Sequence, residues 1–368
     1  MKRNPPFRAE HIGSLLRPQA LKDAWRRHDR GELSDAEYSA AVDDAIRQAV
    51  RLQEEAGLKS ITDGEFRRKS YWSHFVEAVE GFGVRPSVFK FHDSHGHDQE
   101  FLAPFVEGRV RRNRPISGAE FDFLKTATSQ TAKITMPSPP TMHFWRLRET
   151  LSSGSYDDEE AYFADLARVF NDEIKDLAGR GARYIQIDEV PLAMLCDAGI
   201  REQVKAAGRD PSRLANRYVQ LMNECIAEAP GSVTVGMHLC RGNFKGQWLS
   251  EGGYDSVAEL LFGESKVDVF FLEYDSERAG GFEPLRFLPE DKVAVLGLVT
   301  TKSPQLEDAG ALKRRIDEAA GFAPLDNLAI SPQCGFSSTV AGNPVTIDDE
   351  RRKLELLVKV AHDVWGSA

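Results

Sequence analysis

Short β-branched runs alternate with longer helical patterns along most of the 368-residue chain, and this alternation restricts the fold more than any other feature. In the longer segments apolar residues recur at helical spacing. Eight short segments are predicted as strands, near residues 11–14, 60–65, 133–136, 184–189, 233–240, 269–273, 293–299 and 328–334. This order predicts an α/β fold, a single (β/α)8 TIM barrel over residues 1–368, with an open doubly wound sheet as the alternative.

Two segments fall outside the simple repeat. Residues 21–56 are predicted as one helix that ends at Gly57, which gives the barrel an N-terminal helical extension. Residues from about 80 to 130 contain several glycines and prolines and follow neither periodicity. We expect an insertion between strands 2 and 3, of the kind that often shapes or covers an active site. Helices are predicted near 158–179, 210–228, 254–264, 305–320 and 346–365.

The charge of the chain limits its partners. The formal net charge is −10 and no long Lys/Arg run offsets it, which argues against nucleic acid or an anionic membrane surface as a main partner. The basic N-terminus leads into no apolar stretch, and no run of about 18 apolar residues follows, so neither a secretory signal nor a membrane span is expected. Cytoplasm is therefore the expected compartment, with small molecules as partners. A homodimer is one option for the assembly.

Polar residues collect at the predicted carboxyl ends of the strands. In a barrel these ends converge on one face, where active sites form. The residues concerned are Ser14, Glu65, Ser138, Asp188, His238, Cys240, Glu273 and Cys334.

His238 and Cys240 are two positions apart in a strand, so both side chains should point into the barrel mouth. Imidazole nitrogen and thiolate sulfur suit Zn²⁺, and barrel closure could add Cys334 as a third ligand. Glu273 could fill a fourth position or lie beside an open one. The alternative is that both cysteines are buried core thiols and that His238 is structural. The pattern favours a zinc site that activates a thiol.

Carboxylates and backbone amides at the same face are candidates for substrate binding. Glu65, Asp188 and Glu189 could hold an ammonium group, or could instead cap a helix or form a rim salt bridge. Gly13 and Ser14 could present N–H groups to a carboxylate, although a simple turn would have the same sequence. His92, His95 and His97 suggest a second metal site, but a solvated histidine-rich loop is the favoured interpretation. Cys196 and Cys225 lack ligand neighbours and are interpreted as structural.

Taken together, these segments resemble the catalytic domain of the cobalamin-independent methionine synthase family, and more closely its short stand-alone members. The resemblance covers most of the chain. It rests on Ile12–Ser14, Asp63–Phe66, Ile185–Glu189, His238–Cys240, Glu273, Ser303–Pro304 and Cys334–Gly335, in this order and spacing.

The resemblance implies a (β/α)8 barrel with zinc on His238, Cys240, Glu273 and Cys334. It also implies homocysteine bound by Ile12, Gly13, Ser14, Glu65 and Asp188, with a folate as methyl donor. Trp145 is similar to the aromatic residue that contacts the folate.

The chain departs from the family pattern at three points. Val190 stands in place of the proline that ends the family's IDEP motif, and Met194 stands where the family has an acidic residue shortly after it. Lys302 stands where the family has a catalytic histidine before a Ser-Pro pair. The candidate catalytic residues are Lys302 and Asp188. The large N-terminal half of the full-length synthase has no counterpart, so a methyl donor simpler than the folate is also expected.

The predicted function is a zinc-dependent methyltransferase. It would activate a homocysteine-like thiol to accept a methyl group from 5-methyltetrahydrofolate or a simpler donor, and would give methionine or a related thioether. Two alternatives remain: a zinc-dependent enzyme that opens epoxides with a thiol such as coenzyme M, and a metal-binding barrel without catalytic activity.

Overall fold

The computed structural model describes residues 7–92, 98–152 and 154–368. In this part of the chain seven parallel strands form one sheet in the order β1-β6-β7-β8-β9-β10-β11. These strands are β1 (Ser60–Ile61), β6 (Thr131–Pro137), β7 (Tyr184–Glu189), β8 (Thr234–Leu239), β9 (Val269–Glu273), β10 (Val293–Val299) and β11 (Leu328–Pro332).

The eighth position of the barrel is held by the chain before β1. Ala9 forms a parallel bridge to Ile330 in β11, with Glu10 N–H donating to the Ile330 carbonyl at 2.9 Å. On its other side this segment meets β1 through side chains, because Ser60 Oγ donates to Glu10 Oε2 at 2.7 Å. The barrel prediction is confirmed, but the first strand is a single bridge at Ala9 and ends before the predicted 11–14.

Helices follow the barrel strands and cover the outside of the sheet. Those predicted near 158–179, 210–228 and 346–365 are confirmed with small shifts of their ends, and those predicted near 254–264 and 305–320 begin later, at 258 and 309. In the described residues the helices are α1 (Gln19–Asp29), α2 (Asp35–Glu55), α3 (Ser73–Ala78), α4 (Gly118–Ala127), α5 (Glu159–Arg180), α6 (Pro191–Met194), α7 (Ala198–Ala206), α8 (Pro211–Cys225), α9 (Ala258–Glu264), α10 (Ala309–Ala319) and α11 (Ile347–Trp365). None of them is long and apolar enough to cross a membrane.

The single helix predicted for residues 21–56 is wrong, since the structure has two, α1 and α2. Gly31 takes φ +72°, a left-handed conformation that ends α1. Ser34 then caps α2, and its side chain and that of Glu37 bond to each other's backbone N–H groups. The capping signal was present in the sequence and marks the break.

The segment expected as an insertion, about 80–130, has more regular structure than predicted. Two antiparallel strands, β2 (Val79–Pro86) and β5 (Leu102–Arg112), form a long hairpin with a short pair near its tip, β3 (Phe91–His92) and β4 (Asp98–Gln99). The hairpin packs on α5, where Arg112 Nε lies 2.8 Å from Glu173 Oε2. Residues 118–127 form α4, which packs against β6 and α5 as a barrel helix. His95 and His97 lie outside the described residues, as does the side chain of His92.

Alternation along the strands divides the side chains between two cores. One lies between sheet and helices, and the other is a smaller cluster inside the barrel. Tyr184 belongs to the inner cluster, so Gln186 and Asp188 on the same strand face also point inward. The same parity directs Glu273 of β9 to the barrel mouth, because Val269 and Phe271 belong to the inner cluster. It also directs His238 of β8 there, because a Cβ on Gly236, two residues earlier, would face Phe271 and Tyr184. The inner core thus supports the residues of the mouth.

A buried ion pair ties the N-terminal segment to the sheet. Lys133 Nζ lies 3.0 Å from Glu10 Oε2, and both side chains are almost fully buried. Tyr184 Oη also donates to Glu10 Oε1, at 2.9 Å. Because the described part of the segment bridges β11 at a single residue pair, we infer that this polar cluster carries much of the barrel closure.

Lys133→Met should destabilise the protein by about 3–5 kcal/mol, because it leaves the Glu10 carboxylate buried without its cation. Adding Glu10→Gln should recover part of this loss. Denaturant unfolding measures both, with the exposed Lys359→Met as control, expected to lie within about 0.5 kcal/mol of the parent. Equal stability of the single variant and the parent would contradict this role for the pair.

Candidate active site

Three potential metal ligands meet at the mouth of the barrel. The ligand atoms of His238, Cys240 and Cys334 all lie within 4.8 Å of one another, and the three residues are buried. His238 comes from β8, Cys240 directly follows that strand, and Cys334 follows β11 by two residues. Within the described chain neither ring nitrogen of His238 has a hydrogen-bond partner. Unpaired buried nitrogens beside two sulfurs form a donor set suited to Zn²⁺.

The pKa values of the two thiols in this group are shifted in opposite directions. Their sulfur atoms are 3.3 Å apart, and all four cysteines of the chain are free. The hydrogen bond between them lowers the pKa of Cys334 well below its usual value and raises that of Cys240 well above it. Cys334 is therefore the sulfur of the pair that ionises more readily, and the thiolate is the form that ligates metals.

Glu273, the expected fourth ligand, lies next to this group but is not part of it. Its Oε1 accepts a hydrogen bond from Arg278 at 2.5 Å, and within the described chain Oε2 has no partner. Burial acts to raise the pKa of Glu273, but the charges of Lys302 and Arg278 outweigh it and hold the pKa below the usual value. The carboxylate is thus ionised and held by cations, with one oxygen free.

Lys302 is placed behind the cluster rather than in the substrate cavity. Its ammonium nitrogen is 4.0 Å from Glu273 Oε1, is buried, and has no hydrogen-bond partner in the described chain. Lys302 also does not line the cavity that the other site residues share. Its position is that of a charge partner for Glu273 and Cys334.

Glu65 and Asp188 form a buried acidic pair in the same cavity as the sulfurs. Burial and then the nearby Glu65 carboxylate raise the pKa of Asp188 to about 7. Burial also raises the pKa of Glu65, although Arg68 and Thr135 oppose this, and Thr135 Oγ1 donates to Glu65 Oε1 at 2.8 Å. A bound cation would relieve the repulsion between the two carboxylates.

The Ile12–Ser14 turn borders the same cavity. Gln186 Nε2 donates both to the Ile12 carbonyl, at 2.5 Å, and to Asp188 Oδ1, at 2.7 Å, so one amide positions both groups. Ser14 packs against Gly335, where an added Cβ would come within 1.9 Å of Ser14 Oγ. Only glycine at 335 therefore lets the chain after β11 approach this turn.

A cavity of about 150 Å³ joins these groups. It is lined by Ile12, Ser14, Glu65, Asp188, His238, Cys240 and Cys334, and also by Trp145. Gly13 borders it from behind, since a Cβ there would meet Thr135 and Glu65. The structure thus brings most of the predicted site residues to one cavity, with Lys302 and Glu273 just outside its lining. Cys196 and Cys225 are buried elsewhere.

Several residues of the site were not found from the sequence. Tyr71, Trp72 and Phe101 line the cavity from segments between β1 and β6, where no strand end marks them. Arg278 follows β9 in a short 3-10 turn and had no sequence signal. Gln186 could have been found from the sequence, because it lies two residues before Asp188 and therefore on the same face of the strand.

A family model described as the catalytic domain of cobalamin-independent synthase matches residues 7–363. The chain belongs to this family. Two Bacillus subtilis proteins, YxjH and YxjG, are 38% and 37% identical to it, with 99% of this chain and 96% of each relative aligned. The methionine synthase of Sulfolobus acidocaldarius is 27% identical over 88% of this chain and 84% of its own.

Solved structures agree with the family. A Listeria monocytogenes protein assigned as a vitamin-B12 independent methionine synthase is 33% identical, with a TM-score of 0.78 over 98% of this chain and 99% of that one. A B12-independent methionine synthase from Shewanella sp. W3-18-1, in complex with selenomethionine, shows the same fold at 21% identity, with a TM-score of 0.73 over 97% of each chain. Family membership makes the chain an enzyme of the methyltransferase class.

Mild oxidation of metal-free protein should join Cys240 and Cys334 and lower the thiols titrated after denaturation from four to two, because the two sulfurs are in contact. Added Zn²⁺ should protect both. Cys240→Ser should abolish the oxidant-dependent loss, whereas the control Cys225→Ser should keep it. A loss that persists in Cys240→Ser would show that the sulfurs do not meet.

Proposed function

We propose that this protein is a zinc-dependent methyltransferase whose acceptor is a small amino-acid thiol of the homocysteine type. The observation that carries the proposal is the position of His238, Cys240 and Cys334 in the same 150 Å³ cavity as the acidic pair Glu65 and Asp188. The cavity thus offers ligands for a soft metal and carboxylates for a cation. A molecule with a thiol and an ammonium group fits both.

The metal would be held by the His238 imidazole and the Cys240 and Cys334 sulfurs. Three protein ligands leave one exchangeable place, as is usual for catalytic zinc. Zinc, when bound, would supply the charge that makes a substrate thiol a thiolate at neutral pH. Glu273 is the candidate for the remaining place in the resting protein, because its free Oε2 belongs to a carboxylate that Arg278 already orients.

Recognition of the amino acid would fall to Glu65, Asp188 and the Ile12–Ser14 turn. The acidic pair would accept the ammonium hydrogens, and the turn would face the carboxylate of the substrate. This division favours an amino-acid thiol over a thiol that carries a sulfonate, since two buried carboxylates would repel a second anion. The relatives named methionine synthase support the same acceptor.

Lys302 is proposed as a positioning residue rather than the proton donor that the resemblance suggested. Its ammonium lies outside the cavity lining and 4.0 Å from Glu273, where it balances the negative charge of the ligand group. Within the cavity, Asp188 has a pKa of about 7 and can hold a proton near neutral pH. Any proton exchange with substrate is therefore assigned to Asp188.

Metal content and homocysteine binding together test the proposal. The parent should contain about one zinc per chain, and Cys240→Ser or Cys334→Ser should lose most of it, whereas Cys225→Ser should not. Calorimetry on the zinc-loaded parent should show homocysteine binding. Asp188→Asn should weaken this binding by about 10-fold or more, because hydrogen bonds to a charged group contribute about 1.5–3 kcal/mol.

Two results would refute the proposal. One is zinc content that neither cysteine substitution changes. The other is a zinc-loaded parent that gives no binding heat with homocysteine, while a folded state is confirmed by cooperative unfolding.

A further inference from the structure

We propose that the methyl donor is a methyl onium ion, a sulfonium or quaternary ammonium compound, rather than an anionic folate. The inference rests on the proposed function for the acceptor and concerns the other substrate of the same cavity. Four properties of the cavity carry it: its charge, its aromatic wall, its size and the position of Lys302.

The charge of the cavity favours a cation. Glu65, Glu100 and Asp188 line it, and among the described residues no lysine or arginine does. Behind the lining, the buried Arg68 offsets part of the charge of Glu65, since its Nη1 lies 3.8 Å from Glu65 Oε1. Asp188 forms no ion pair with a lysine or arginine of the described chain. Lys90 lies 3.5 Å from Glu100 but outside the lining, and its side chain is 43% exposed. The thiolate of the acceptor adds a further negative charge. A folate with a glutamate tail brings carboxylates into this field and would find no cation in the lining to receive them.

Part of the cavity lining is an aromatic wall. It consists of Tyr71, Trp72, Phe101, Trp145 and Phe244. Trp145 is almost fully buried, stands edge-on to Phe101 with ring centroids 5.2 Å apart, and its indole N–H has no partner in the described chain. Aromatic faces bind methylated onium ions through cation–π attraction of about 0.5–2 kcal/mol each. Carboxylates and aromatic rings that line one cavity thus form a site suited to an onium methyl group.

The size of the cavity also favours a small onium donor over a folate. Its volume of about 150 Å³ is well below the range of about 300–1,000 Å³ that is typical of pockets for drug-sized ligands. A small onium ion beside an amino acid is more compatible with this space than a pterin that carries a benzoyl-glutamate tail.

The chemistry of an onium donor matches the residues present. The substrate thiolate donates an electron pair to the methyl carbon, and a new S–C bond forms. The bond from that carbon to the onium sulfur or nitrogen breaks, and its electron pair stays on the leaving atom. Thiolate and cation become two neutral groups, so the leaving group needs no proton. This fits a site in which Lys302, placed where the family has its catalytic histidine, does not reach the cavity.

The test compares donors on the zinc-loaded, homocysteine-bound protein. Trimethylsulfonium and S-methylmethionine represent sulfonium donors, glycine betaine represents quaternary ammonium donors, and 5-methyltetrahydrofolate with one or three glutamates represents the folates. We expect an onium class to give a kcat/KM at least tenfold above either folate. Tetramethylammonium, added to the zinc-loaded protein without homocysteine so that no methyl acceptor is present, should bind in calorimetry. Trp72→Leu should weaken this binding by about 3- to 30-fold, whereas Trp72→Phe should largely restore it and the distant Trp365→Leu should not affect it.

The outcomes separate this inference from the proposed function. Absence of homocysteine binding would refute the acceptor and the inference with it. Homocysteine binding together with faster transfer from the folates, increasing with glutamate number, would overturn the donor class alone. The donor class would also be overturned if tetramethylammonium bound to Trp72→Leu as tightly as to the parent. If no donor turns over, the binding comparison decides: onium binding that depends on Trp72 supports the inference, and its absence overturns it.

Discussion

Closure of a parallel sheet around inward-facing side chains is the constraint on which this molecule depends. Residues two apart on one strand point the same way, so His238 and Cys240 necessarily share the barrel mouth. Closure then lets the chain that follows β11 meet the chain that follows β8 across the barrel mouth, although 94 residues separate Cys240 from Cys334. The N-terminal segment completes the ring through one backbone bridge and the buried Glu10–Lys133 pair. The same closure therefore holds the barrel together and assembles the site.

The distribution of charge around the cavity separates two tasks. Next to the sulfurs, Lys302 and Arg278 neutralise the buried Glu273 carboxylate. The hydrogen bond from Cys240 lowers the pKa of Cys334, and the charges of His238 and Lys302 act in the same direction. On the cavity side lie Glu65 and Asp188, where burial and then the Glu65 charge raise the pKa of Asp188 to about 7. Cations on the metal side and carboxylates on the substrate side would draw a molecule that carries a thiol at one end and a positive charge at the other.

Much of the fold could be predicted from the sequence because strand and helix periodicities alternate clearly, and the His238–Leu239–Cys240 pattern directly reports two side chains on one strand face. The break between α1 and α2 was missed even though Ser34 and Glu37 signal it. The relation of Glu273 to Arg278 could not be predicted, because it depends on a turn that folds back after β9. The aromatic wall was missed for a similar reason: Tyr71, Trp72 and Phe101 come from the region between β1 and β6, where the hairpin follows no barrel periodicity. The sequence could not predict that Lys302 lies outside the cavity lining, because its place in the sequence is that of a catalytic group.

The account depends most on the claim that two sulfurs and one imidazole hold a metal with a place left for a substrate thiol. X-ray absorption at the zinc edge measures this directly on the loaded protein, before and after homocysteine is added. We expect two sulfur neighbours and nitrogen or oxygen neighbours at first, and three sulfur neighbours when homocysteine is bound, at a distance of about 2.3 Å. A spectrum that shows no sulfur neighbours, or one that homocysteine leaves unchanged at saturation, would contradict the account.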